Sequence, residues 1–354
     1  MSAIYFYRIY ETGTEINLDK LEQEISADHS ISRRRFSRVK PSSIQLDTPP
    51  LLINLGTFTF SLEKQEIPLI ARARIYDIGA VSICLFFEDR NHSDKIPLED
   101  IALYFSGQQG LDQVFSLYVD MLINTLASYL EKITINLDFY EDYIIYCINN
   151  KEEISDPMII LMGEKTNFSP QMRQQVLNNT LSYSQDDFAI ISWDSALLCD
   201  SEDPQDLQDL IEFANVQLLK LRYYDNLVAR RMEKMYDDIE QAEKLSRYAR
   251  LRRYRQIMSE LMEIIGDITE VTEKIKNFIK ITEDIYYARV YETTLRVLRT
   301  GQWSESLNRM ISVIYQNYSL LSNEVNIQHS NFLEWIIIIL IALEFIFAIL
   351  QSII

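Results

Sequence analysis

Glycine is scarce in this chain: eight residues in 354, about 2 % where average usage is roughly 7 %. Folds that cradle phosphates on glycine-rich loops are disfavoured on that ground, and neither GxxxxGK[ST] nor GxGxxG occurs. The three cysteines, Cys84, Cys147 and Cys199, and the three histidines are scattered. Such spacing leaves no CxxC motif and no material for a multi-histidine metal site, and the odd, dispersed cysteine set fits a reducing compartment. HExxH and GxSxG are missing too, so zinc-peptidase and serine-hydrolase chemistry lacks its motifs. Ser61-Leu62-Glu63-Lys64 matches SxxK, but the SDN and KTG partners do not accompany it. No catalytic residue, cofactor or metal site is therefore expected. Basic residues are also in short supply: 34 Lys and Arg against 52 Asp and Glu leave a net charge of −18. A protein that coats nucleic acid with its whole surface is excluded by that balance.

Against these shortages stands one long apolar run. From Trp335 the chain reads WIIIILIALEFIFAILQSII to its last residue, broken only by Glu344, Gln351 and Ser352. As a helix rising ~1.5 Å per residue, those residues span ~30 Å, the thickness of a bilayer core. The amino terminus, MSAIYFYRIYETG, lacks the basic and apolar regions of a secretory signal. The expected arrangement is one transmembrane tail anchor over residues 333 to 354, with the head on the cytoplasmic side of the lipid bilayer. Glu344 is then an intramembrane polar group, and a hydrogen bond from it to a second span, in another copy or a membrane partner, would offset its cost there.

The length gives a prior of about two domains. Residues 1 to 200 read as an α+β head domain. IYFYRIY is strand-like, NLDKLEQEI has helical spacing, and SRRRFSRVKPSSIQLDTPP reads as a loop. TFTFSL, IARARIY and AVSICLFF read as strands, the last two joined as a hairpin through Asp77-Ile78-Gly79. Residues 98 to 131 are helical with breaks at Gly107 and Gly110; DYIIYCI, PMIILM and FAIISWDSALL read as strands, with a helix around Gln171 to Asn179. Asp100, Asp138, Glu141, Asp142, Asp186, Asp187 and Asp194 fall near element ends, where capping and turn carboxylates are the ordinary occupants.

Residues 203 to 332 read as a long helical, coiled-coil-like stalk. Asp203-Pro204 makes a helix start, and three apolar stripes with 4-3 spacing follow: Leu207 to Ala242, with Asp225 on the seam, then Ile257 to Ile285, and, after a stop at Thr300-Gly301, Leu307 to Phe332. Two basic segments interrupt the acidic background. Arg33, Arg34, Arg35, Arg38 and Lys40 lie in the early loop; Arg247, Arg250, Arg252, Arg253 and Arg255, interleaved with Tyr248 and Tyr254, lie between the first two stripes. Arginine forks and tyrosine faces suit RNA or anionic lipid headgroups, and pairing with nearby Asp and Glu is the plainer alternative.

FAIISWDSALLCD, LIEFANVQLLKLRYYDNLVARRMEKMYDDIE and HSNFLEWIIIILIALEFIFAIL together resemble the carboxyl-terminal half of the required-for-meiotic-nuclear-division (YagE-type) family, most strongly over about residues 180 to 354. That resemblance implies a membrane-attached accessory protein and carries no catalytic residues. A mitochondrial member supports translation; this sequence lacks a targeting presequence, which fits a bacterial cytoplasmic-membrane protein. The expected function is a non-enzymatic scaffold or adaptor, as a homo-oligomer or with a membrane protein partner. Its alternatives are a ribosome or RNA tether and a membrane-attached enzyme with an unrecognised carboxylate site.

Overall fold

The structure is a computed structural model that describes residues 2–13, 15–25, 31–33, 44–46, 48–62, 65–88, 97–127, 135–200, 204–277, 279–281 and 284–353. The order of elements is β1 (Ala3–Glu11), α1 (Leu18–Ile25), β2 (Ile31–Arg33), β3 (Ile44–Leu46), β4 (Leu51–Leu62), β5 (Gln65–Tyr76), β6 (Ala80–Glu88), α2 (Leu98–Tyr104), α3 (Asp112–Ala127), β7 (Asn136–Ile148), α4 (Pro157–Met162), α5 (Pro170–Leu177), β8 (Thr180–Leu181), β9 (Phe188–Ile191) and β10 (Ser195–Cys199). Long helices follow: α6 (Gln205–Glu243), α7 (Arg247–Asn277), then β11 (Ile279–Ile281), α8 (Ile285–Val297) and α9 (Thr300–Ile353). An amino-terminal α+β sheet domain thus precedes long helices, as the composition and periodicity predict.

Among the described residues, nine strands form one sheet in the order β2-β4-β5-β6-β1-β7-β10-β9-β8. Every neighbouring pair is antiparallel except β7 and β10, which run parallel. The predicted hairpin joins β5 to β6, with Gly79 at φ +81 closing the turn, a conformation that glycine adopts without steric cost. Both faces of the sheet are covered. Ile4, Phe6 and Tyr10 of β1 and Ile144, Tyr146 and Ile148 of β7 share one core with α1 to α5. The alternate residues, Ala3, Tyr7 and Ile9 with Tyr143, Ile145 and Cys147, share the other with α6 and α8. Burial on two faces is why β1 and DYIIYCI are almost continuously apolar.

Two compact units divide the chain, Met1–Tyr223 with Thr272–Ser304 and Tyr224–Val271 with Glu305–Ile354. In the first, the predicted stripe from Leu207 to Leu218 packs on the sheet, and α6 is buried on every side from Asp206 to Leu221. In the second, the stripes supply the buried positions: Val228, Met235 and Ala242 of α6, Ile257, Leu261 and Ile268 of α7, and Leu307, Ile314, Leu321 and Val325 of α9.

Four readings differ from the structure. SRRRFSRVKPSSIQLDTPP, read as a loop, contains Ser32 and Arg33 of β2, which pairs with β4, and the whole of β3, which pairs with β11. PMIILM is α4, not a strand: the Asp156 carboxylate accepts from the Met158 N–H at 3.1 Å, Pro157 occupies the first turn, and Gly163 ends the helix at φ +63. The stop at Thr300-Gly301 lies one residue earlier, where Arg299 takes φ +56, and α9 runs through Gly301. The second stripe ends with α7, since β11 intervenes and Ile285, the first residue of α8, is exposed. The Asp203 cap, Glu63 and Lys64 of the SxxK match, and Phe278 and Thr282 of the second stripe lie outside the described residues.

Candidate functional site

The head's most unusual chemistry is charge buried between the sheet and α6. Gln205, Gln208, Asp209, Glu212 and Lys220 recur at helical spacing, so α6 carries a polar stripe alongside its apolar ones. Arg74 of β5 reaches this stripe. Its Nη2 lies 2.6 Å from Asp209 Oδ1 and its Nη1 bonds Glu212 Oε2, while the Tyr76 hydroxyl donates to Glu212 Oε1 at 2.8 Å. All four side chains are buried. Burial pushes the Glu212 carboxyl above its ordinary range, against the pull of Arg74.

Two turns further on, Lys220 donates to Glu11 Oε1 at 2.7 Å and to the Gly79 carbonyl at 3.3 Å. Both side chains are fully buried. Burial moves each toward its neutral form, Lys220 down and Glu11 up, although each is the other's partner. Gln208 Nε2 meets Cys147 Sγ at 3.2 Å. The space beside this layer, lined by Tyr7, Arg72, Arg74, Cys84, Gln208 and Glu212, measures about 20 Å³. That holds about one water, whereas ligand pockets occupy ~300 to 1,000 Å³. The buried charges therefore answer one another and fix α6 in a single register on the sheet.

On the opposite face Arg8 grips Asp142 through Nε at 2.7 Å and Nη2 at 3.3 Å, reaches Asp112 at 3.0 Å, and lies over the Phe115 and Tyr140 rings. Glu141, next along β7, bonds Arg222, and burial pushes its carboxyl up to about 7 against that pairing. A wider groove of about 630 Å³ opens beside the β9–β10 turn, where half-exposed Trp193 lies under the Arg299 guanidinium at 5.7 Å and Arg296 bonds Asn179. Among the described residues, no three His, Cys, Asp or Glu side chains are grouped to hold a metal ion.

Residues 1–206 match the family described as the uncharacterized protein MJ0711, N-terminal domain. The chain belongs to this family. It is similar to the uncharacterized protein MJ0711 of Methanocaldococcus jannaschii, 26 % identical over 240 residues, a stretch that covers 64 % of this chain and 71 % of the relative. No solved structure matches. Neither match concerns the required-for-meiotic-nuclear-division family, and that resemblance remains a proposal. The MJ0711 family region holds the whole sheet, with Arg8, Glu11, Arg74 and Asp142, and ends in the first turn of α6. Asp209, Glu212 and Lys220 lie beyond it, as does the apolar tail.

The predicted basic residues meet different fates. Arg33 ends β2 and is held by Asp19 and Glu22, so it serves the fold. Arg34, Arg35, Arg38 and Lys40 lie outside the described residues. Arg253 is held by Asp238 at 2.6 Å. Arg247, Arg250, Arg252 and Arg255 have no carboxylate within 4 Å among the described residues, and Arg247 donates to Gln328 Oε1. α9 is long and apolar enough to cross a membrane, and from Phe332 to Leu343 its large apolar side chains are 38–63 % exposed. Glu344 is exposed at the end of that stretch.

Sequence reading missed Asp209, Glu212 and Lys220. The available signal was α6 itself: Leu210, Phe213 and Val216 make a second apolar face beside Leu207, Ile211 and Ala214. A helix apolar on two faces is a buried helix, and its remaining charges need buried partners.

Proposed function

We propose that this chain is a non-enzymatic scaffold or adaptor anchored by a single carboxyl-terminal span, with its α+β head on the cytoplasmic side. The observation that carries this reading is the continuous exposed apolar surface from Trp335 to Leu343 on a helix of 54 residues. Water-soluble monomers rarely expose apolar patches beyond ~300 to 600 Å², and a bilayer covers such a helix on all sides. The absence of Lys and Arg after Trp335 and the LEW-plus-apolar close, which resembles that of the required-for-meiotic-nuclear-division family, support the same reading. α6, α7 and α9 then act as a coiled-coil stalk, and Glu344 joins the span to another copy or to a membrane protein. The head's open groove at Trp193, Arg296 and Arg299 supplies a surface for a partner. Deleting residues 333 to 354 is expected to move the protein from the membrane pellet to the soluble fraction. If the truncated protein persists in the pellet after alkaline extraction, the reading fails.

A second reading, a ribosome or RNA tether at the membrane, draws on the arginines of α7. It predicts co-sedimentation with ribosomes that salt abolishes.

A further inference from the structure

A groove of about 400 Å³ lies between the amino-terminal turns of α7 and the stretch of α9 that precedes the apolar run. Arg247, Leu251 and Arg255 recur every fourth residue and line its α7 side, so one face presents cation, apolar group, cation. Val325, Phe332 and Trp335 form its α9 side. The Arg247 to Gln328 hydrogen bond sets the level of the two helices. Gln328 precedes Trp335 by seven residues, or ~10 Å of helix rise. Tryptophan marks the membrane–water boundary, and the polar zone outside the hydrocarbon is ~5 to 8 Å deep on each side. Arg247, with a long side chain, therefore lies within reach of headgroup phosphates when the tail is inserted.

Three further features agree with this placement. Leu245 and Tyr248, at the turn from α6 to α7, are 45 % and 85 % exposed, as interfacial side chains are. Between Ala242 and Met258 six basic residues accompany one acidic residue, in a chain of net charge −18. Only Arg253 among these arginines is held by a carboxylate among the described residues. RNA would find two arginines without a carboxylate partner among the described residues, but an apolar floor; an acyl chain suits that floor and a phosphate suits its rim.

We propose that this groove seats an anionic phospholipid of the membrane the tail enters, with Arg247 on the headgroup phosphate, Arg255 adding positive charge to the same groove, and an acyl chain along Leu251, Phe332 and Trp335. The proposal rests on the anchoring reading above. The lipid is then a ligand that fixes the helices at one depth and restricts the protein to anionic leaflets.

The test uses the full chain in mild detergent, with phosphatidylglycerol and phosphatidylcholine offered in equal amounts and retained lipid measured by native mass spectrometry. The wild type is expected to retain phosphatidylglycerol preferentially. Near an anionic surface each basic residue is worth about fivefold, so Arg247→Gln with Arg255→Gln should weaken retention by ~10- to 30-fold. The double lysine variant at the same positions should keep most of it, as should Arg230→Gln with Arg231→Gln, exposed arginines of α6 away from the groove. Alkaline extraction of membranes carrying the same proteins separates the two levels. A chain that is extracted defeats the anchoring reading and the lipid seat with it. A chain that stays, but retains both lipids equally or is unaffected by the glutamine pair, overturns the lipid seat alone. Binding of a single-stranded RNA that the glutamine pair abolishes, without lipid preference, overturns it in favour of RNA.

Discussion

Replacing Arg74 with methionine keeps an unbranched apolar stem and removes the guanidinium that bonds both Asp209 and Glu212. The two carboxylates are 2 % and 1 % exposed, so solvent screening offers little relief. Breaking a buried pair by removing one partner costs ~3 to 5 kcal/mol. Protonation sets a ceiling: neutralising a carboxyl whose ordinary pKa is ~4 costs, at pH 7, about 1.4 kcal/mol per unit, or ~4 kcal/mol for each carboxyl so neutralised. Arg74→Met is therefore expected to lower stability by ~4 kcal/mol at pH 7. Glu212, which burial already raises, would keep a folded-state pKa above its unfolded value once Arg74 is gone. Its stabilising protonation is complete below the unfolded pKa and is lost as pH rises through the folded one. The deficit should accordingly shrink by ~1 kcal/mol or more for each unit of acidification from pH 7 to pH 5. Arg74→Met combined with Asp209→Asn and Glu212→Gln should recover most of the loss at pH 7. Urea unfolding of the full chain in mild detergent, followed by circular dichroism, measures all of this. An Arg74→Met chain within ~1 kcal/mol of wild type, or a deficit equal at both pH values, would refute the role assigned to the buried charge layer.

Glu141, raised by burial to about 7 in the folded chain, stabilises fully below its unfolded pKa of ~4.5 and loses that contribution as pH rises through 7. Wild-type stability should fall by ~2 to 3 kcal/mol between pH 5 and pH 8, and Glu141→Gln should flatten that slope in the same urea titration. Asp225 has a buried Oδ1 with no hydrogen bond among the described residues. Asp225→Leu should raise stability by ~1 kcal/mol, and a lower melting temperature would contradict it. Gly163 sits at φ +63, and a Cβ there would fall 2.0 Å from Ser106 Oγ. Gly163→Ala should cost ~2 to 3 kcal/mol, partly restored by Ser106→Gly in thermal melts.

The α+β head, the β5–β6 hairpin and the long helices were legible because period, turn chemistry and length agree there. PMIILM was not, since a short apolar run fits a buried strand or a buried helix equally well, and the deciding signals were its flanks, Asp156-Pro157 and Gly163. Thr300-Gly301 read as a stop because glycine ends helices, yet the chain turns at Arg299, an arginine in a left-handed conformation that no propensity foretells. The pairings of Arg74 with Glu212 and of Lys220 with Glu11 span 138 and 209 residues of sequence, and periodicity says nothing about partners so distant. The arginines of α7 were visible as a cluster, but only the structure separates Arg253, held by Asp238, from Arg247 and Arg255, which line a groove beside the apolar tail.

Protease accessibility in sealed vesicles tests the anchored topology most directly. Full chain synthesised in the presence of sealed membrane vesicles should remain with them through alkaline extraction, while added protease removes residues 1 to 332 from the outside without detergent. A protected fragment the size of the head, or release of the intact chain by alkali, would contradict a single carboxyl-terminal span with the head on the side of synthesis.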